Sequence, residues 1–283
     1  MQHQTGQELQ TDLLYEKITH MAHKLLTAFI ILAATCSACT LPGPDPDTSS
    51  VAASTQHLEY PAYETCEDII EYSGFTSSYN HSTLVPEWVA YELTAEELNW
   101  VYDSQSSNFS RDPNLKGKQA SREDYSHSGW DKGHMAPKAD MRWSEESYWE
   151  SHYFTNVCPQ NHELNAGDWN TLEKSVRRWA KQYGTVWVVC GPIFEEDAHG
   201  TIGEAHVHIP DAFFKALLTC DSHGLYHTIG FVMPNEGTHH AFKSYACTVN
   251  SLEERIGRDL FPALDDSVEE SAEDEMNWTI WNR

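Results

Sequence analysis
The stretch "GDWNTLEKSVRRWAKQYGTVWVVCGPIF" (167–194) changes period halfway along. In its first half Trp169, Leu172, Val176, Trp179 and Tyr183 step by three and four, which puts one apolar stripe on a helix. Asp168 reads as the N-cap of that helix and Gly184 as its stop. After Gly184 the chain becomes a run rich in valine, closed by Gly-Pro, which reads as a strand. Two more such runs follow directly, "HIPDAFFKALLTC" (208–220) and "LYHTIGFVMPN" (225–235). Upstream, "LVPEWVAYELT" (84–94) alternates Trp88 and Ala90 with Val89 and Tyr91, again a strand. Strands that succeed one another without intervening helices predict the α+β class, with a central, largely antiparallel β-sheet flanked by helices. "AEELNWVY" (95–102) reads as a short helix or turn, 103–129 as polar loop, and "SLEERIGRDLF" (251–261) as a last short helix. The segment 148–160 starts helical and turns extended toward Pro159.

The chain has 283 residues, enough for a sizeable core. Its 40% hydrophobic and 22% charged content is that of a globular protein. A formal net charge of −25 excludes a broad polyanion-binding surface, because nucleic-acid binders carry a basic face. Any action on nucleic acid therefore has to work through a local basic site and a metal ion. "DDSVEESAEDE" (265–275) contains no base and reads as part of a disordered, acidic C-terminal tail, 265–283.

"MAHKLLTAFIILAATCSACT" (21–40) has a lysine, an apolar run too short for an ordinary membrane span, then small residues and cysteines. That is the pattern of an export signal, so 1–39 is expected to be an upstream extension plus signal and 40–65 a linker. The domain itself is then 66–264. Cys36 or Cys39 is the candidate for a lipid anchor; outer-membrane lipoprotein, periplasmic and secreted forms all fit. Five cysteines lie beyond the signal: Cys66, Cys158, Cys190, Cys220 and Cys247. In an exported protein some are expected to form disulfides, and an odd number leaves at least one over.

"WDKGHMAP" (130–137) carries the chemistry. Alone, His134 reads as a loop or core histidine, Asn165 as a turn or cap residue, and Glu173 as a surface carboxylate pairing with Arg177 at i+4. Together they read differently. Eight residues separate Asn165 from Glu173, two helical turns plus roughly 80°, so the carboxylate lies deeper on an adjacent face. A hard cation such as Mg²⁺ takes oxygen ligands and keeps several waters, which suits one amide oxygen with a carboxylate holding the waters. His134 is then free to act as a base rather than as a ligand.

"DKGHMAP" resembles the DRGH-type motif of the DNA/RNA non-specific endonucleases, the ββα-metal, endonuclease G-like family. "TNVCPQNHELNAGDWNTLEKSVR" (155–177) resembles the family's asparagine-to-glutamate helix, and "VVCGPIF" and "IPDAFFKALL" resemble the strands that follow it. The similarity runs from about 84 to 262. It implies an exported, Mg²⁺-dependent, sugar-non-specific endonuclease that hydrolyses DNA and RNA and leaves 5′-phosphate ends, with Mn²⁺ or another divalent cation as a substitute. It implies that His134 is the general base, that Asn165 is the single protein ligand of the metal, and that Glu173 holds metal-bound water. Asp131 and Gly133 would shape the loop that presents His134. Lys132 stands where the family usually has arginine, keeping the charge but losing the bidentate fork. The family's upstream arginine aligns with Ser107, so Arg111 and, after the motif, Arg142 are the candidates for contact with substrate phosphate. The rival expectation is a weak or inactive nuclease-fold protein that binds nucleic acid or a protein partner. Trp169 and Trp179 read as core.

Overall fold
A computed structural model of the chain describes residues 57–102, 108–195 and 199–282. The proposed signal, Cys36, Cys39, most of the linker and Ser107 lie outside these residues.

Along the chain the first three strands, β1 (Asp68–Glu71), β2 (Thr76–Asn80) and β3 (Val85–Thr94), form an antiparallel meander. A short helix α1 (Arg122–Tyr125) follows within the expected polar loop, nucleated by a capping box between Ser121 and Asp124. Then come β4 (Asp131–His134), helix α2 (Glu145–Glu150) and β5 (Val157–Gln160), with β4 and β5 paired antiparallel as a separate two-stranded ribbon. The long helical region has three parts: α3 (His162–Leu164), a π-helical turn (Asn165–Trp169) and α4 (Asn170–Tyr183). Strand β6 (Thr185–Ile193) leaves it through Gly184, whose φ of +91° suits a residue without Cβ. A small hairpin, β7 (Thr201–Ile202) with β8 (Val207–His208), precedes β9 (Ala212–Cys220), β10 (Tyr226–Pro234) and β11 (Ala246–Cys247). Helices α5 (Val249–Ile256), α6 (Asp266–Glu273) and α7 (Trp278–Trp281) close the chain.

The main sheet has seven strands in the order β1-β2-β3-β6-β9-β10-β11, and every pair is antiparallel. Strand alternation sorts its side chains into two cores. Trp88, Ala90, Phe214, Ala216 and Leu218 face one layer, covered by Val249 and Leu252 of α5. Val89, Tyr91, Val188, Phe213, Leu217 and Phe231 face the other, covered by Trp169, Leu172, Val176 and Trp179 of the long helix. Both tryptophans are fully buried, as their helical spacing predicts.

Four expectations are corrected. Asp168 is not the N-cap: the helix begins earlier, where the Asn161 side chain accepts from the amides of Glu163 and Leu164, and Asp168 instead accepts from the Tyr245 hydroxyl at 2.6 Å. The apolar stripe could not reveal this start, because α3 is mostly polar. The five cysteines are all free thiols; Cys158 and Cys190 sit in the core as small apolar groups. The acidic tail is not wholly a solvated coil. Trp281 of α7 packs edge-on against Trp179, and the Thr228 hydroxyl of β10 donates to the Ala272 carbonyl of α6. Residues 57–65, expected as linker, also dock: the Tyr60 hydroxyl meets Thr76 Oγ1 at 2.7 Å.

The docked tail buries an acidic group without compensation. Glu273 is 3% exposed and its Oε1 has no hydrogen-bond partner. Burial, with the charges of Glu253, Glu269 and Asp259, pushes its carboxyl up to about 9. The folded state therefore holds a proton that the unfolded chain releases above its ordinary carboxylate range, and stability falls as pH rises from there toward 9. Glu273→Gln is expected to stabilise the fold at pH 8 by about 1–2 kcal/mol and to change little near pH 4, where both states are protonated. Urea unfolding at the two pH values checks this.

Candidate active site
Strand β4 presents "DKGH" beside β5, with Asp131 opposite Gln160, Gly133 opposite Cys158 and His134 opposite Val157. Gly133 is required there: a Cβ would come within 2.2 Å of Gln160 Oε1 and 2.6 Å of its Cβ. The strand's continuation is clamped by Asn156, which is fully buried. Its Oδ1 accepts from the Ala136 amide, and its Nδ2 donates to the carbonyls of Ala136 and Ser151. Asn235 does the same for the helix start, donating to the Pro159 and Pro210 carbonyls and accepting from the Asn161 amide.

Asn165 opens the π-helical turn, a distortion that frequently marks a functional site. Its Nδ2 donates to Asp131 Oδ2 at 2.9 Å, and His162 Nδ1 lies 2.9 Å from the same oxygen. With Nδ2 committed, the amide offers Oδ1, a hard oxygen donor. His134 joins the helix through its backbone: its carbonyl accepts from Trp169 Nε1 at 3.4 Å, and the next carbonyl, Met135, accepts from Lys215 Nζ at 3.2 Å. The His134 ring is half-buried with Nε2 sealed from solvent, so Nδ1 is the nitrogen that can meet water. Burial, helped by the neighbouring His152 and Lys138, pushes its pKa down to about 3 and keeps the imidazole neutral.

Glu173 belongs to a charged cluster set against the sheet. Burial, then the charge of Asp140, pushes its carboxyl up to about 7, while Lys215 and Arg177 oppose the rise. Asp140 accepts from Arg177 Nη1 at 2.6 Å and from the Tyr91 hydroxyl at 3.1 Å. Lys215, fully buried on β9 between Phe213 and Leu217, lies over the Trp169 ring at 4.7 Å. A carboxylate raised this far is one that an added cation would return to its charged form. Among the described residues no group of three or more His, Cys, Asp and Glu side chains could hold a metal ion. A hard cation bound by one amide oxygen and waters asks for no such group. The Asn165 amide oxygen, held beside the Asp131 carboxylate, therefore fits a loosely held divalent ion.

Of the expected basic residues, Lys132 lies over the rings of Phe109 and Tyr125 at 5.6 and 5.5 Å. A depression lined by Phe109, Arg122, Glu123, Ser126 and Lys132 adjoins another that includes Arg111, so Arg111, Arg122 and Lys132 form a basic rim. Arg142 is placed differently: its Nε donates to the Tyr102 carbonyl at 3.0 Å, a tie between two loops. Asn156, Lys215, Arg122 and His152 were not singled out by sequence. Only Lys215 carried a legible signal, a lysine inside the apolar run "AFFKALL".

Two paired strands and a following helix, with a histidine on the first strand and an asparagine at the helix start, define the ββα-metal class of nuclease site. The sequence profile of the DNA/RNA non-specific endonucleases matches residues 54–267, and this chain belongs to that family. It is 35% identical over 207 residues to the zebrafish (Danio rerio) mitochondrial nuclease EXOG, covering 68% of this chain and 60% of that protein. It is 32% identical over 196 residues to human mitochondrial endonuclease G, covering 65% of this chain and 66% of that protein. A chain of a crystal structure of the EndoG/EndoGI complex, which describes how EndoG is inhibited, superposes with a TM-score of 0.67 at 27% identity. That match covers 78% of this chain and 95% of the other.

Proposed function
We propose that the chain is an exported, Mg²⁺-dependent, sugar-non-specific endonuclease that hydrolyses phosphodiester bonds of DNA and RNA and leaves 5′-phosphate ends. The observation that carries this reading is the neutral His134 on a strand whose Asp131 fixes Asn165 at 2.9 Å. His134 Nδ1 takes the proton of the attacking water. A bound Mg²⁺ would neutralise phosphoryl oxygens and assist the leaving 3′ oxygen. Asn165 would hold it through Oδ1, with Glu173 hydrogen-bonded to its waters. Asp131 holds the amide in that orientation. Lys132, Arg111 and Arg122 grip backbone phosphate, a mode that reads little base sequence. Export accords with the signal-like segment at 21–40 and keeps such an activity away from the cell's own genome.

Digestion of plasmid and RNA by the protein tests the reading. Cleavage is expected with Mg²⁺, none with EDTA, and a loss of about 10²-fold or more for Asn165→Ala, in line with the weight of a ligand or its supporting shell. Intact substrate under every condition, with circular dichroism showing folded protein, would overturn it. The second reading, a binder that does not cut, is favoured by Lys132 in the arginine position and by the −25 net charge; it predicts retained binding with no cleavage.

A further inference from the structure
We propose that His152 is the positioning residue of His134: its Nε2 accepts the Nε2–H of His134 and holds that ring in the tautomer whose Nδ1 is free. The inference rests on the reading of His134 as the base. His152 is fully buried at the end of the turn that follows α2. Its Nδ1 lies 2.8 Å from the Tyr148 carbonyl oxygen, which can only accept, so Nδ1 carries the proton and Nε2 carries a lone pair. Ser151 Oγ donates to the same carbonyl at 2.7 Å, and so leaves that proton in place. The Nε2 atom of His152 is buried and has no partner; neither has the Nε2 atom of His134. A base that works through Nδ1 needs its Nε2 protonated, and which nitrogen is protonated is set by what the other one meets. One ring therefore offers a buried donor and its neighbour a buried acceptor.

The two rings are placed for the contact. Their centroids are 5.3 Å apart and their planes are at 88°. A ring nitrogen sits about 1.2 Å from its centroid, so nitrogens turned toward one another would be about 3 Å apart, the length of an N–H···N bond. Phe109 packs on both, with centroids 5.0 Å from His134 and 5.2 Å from His152.

Long-range ¹⁵N–¹H correlation spectra of the ¹⁵N-histidine-labelled full chain test this without any substrate or metal. The expected result is a protonated Nε2 on His134 and a protonated Nδ1 on His152. In His152→Phe, His134 is expected to become a mixture of tautomers and kcat to fall about tenfold with KM unchanged. His152→Gln, which restores an acceptor, is expected to recover most of the loss. A wild-type His134 protonated on Nδ1, or a His152→Phe protein with unchanged His134 signals, would overturn the proposal. Because the wild-type spectrum is read on inactive and active protein alike, a failure of the nuclease reading stays distinguishable from a failure of this one.

Discussion
His134→Ala is expected to reduce cleavage of plasmid DNA by about 10²–10⁴-fold while leaving the unfolding midpoint within about 1 kcal/mol of wild type. The activity loss follows from the proposed function: there the neutral imidazole takes the proton of the attacking water, and alanine takes none. The small stability effect follows from its surroundings. Gly133, Asn156 and the Met135 carbonyl fix this backbone, and none of them needs the imidazole. Plasmid-nicking rates and urea melts of the same preparations check both halves. A variant that cuts within threefold of wild type would remove His134 from the role of base.

Lys215→Met is expected to have the largest effect on stability, about 3–5 kcal/mol. Lys215 donates to the Met135 carbonyl and, with Arg177, acts on both Asp140 and Glu173, while Lys174 acts on Glu173 alone. Methionine fills similar volume but leaves two acids against one arginine in a buried setting. The uncompensated acid is the main cost; the lost hydrogen bond adds to it. Replacing one member of a buried ionic set is far more damaging than replacing all of it, because the remaining charges stay desolvated. The same substitution is expected to push the Glu173 carboxyl further up. Folded Glu173 then binds its proton across a wider range, and stability of the variant falls more steeply as pH rises above the ordinary carboxylate range. Equilibrium unfolding at pH 6 and pH 8 measures both effects. A loss below about 1 kcal/mol at both would show that the cluster contributes no net attraction.

The main sheet was legible where alternation or β-branched runs are long. β3, β6, β9 and β10 lie where 84–94, 185–194, 208–220 and 225–235 predicted them, and the antiparallel pairing of the last three followed from their succession, whereas β3 reaches β6 across the whole site region. β1 and β2 were not seen. "DIIE" and "TSSYN" are short, and Ser77 and Ser78 are buried polar residues that break the hydrophobic pattern. The π-helical start was hidden for a similar reason: it is specified by Asn161, Asn235 and Asp131, which meet across 74 and 34 residues of sequence. Among site residues, His134 and Asn165 stood out through motif and spacing. Asn156 and His152 act through buried hydrogen-bonding atoms, and burial of a polar side chain leaves no periodic trace.

On the proposed function, a divalent ion held by Asn165 lies beside the His134 ring. Titration of Mn²⁺ into ¹⁵N-histidine-labelled protein tests it most directly, since the ion broadens resonances of nearby nuclei. Selective loss of the His134 ring signals at substoichiometric Mn²⁺, reversed by EDTA and absent in Asn165→Ala, is the predicted result. Untouched His134 signals while the His239 and His240 rings broaden, or equal broadening in Asn165→Ala, would contradict it.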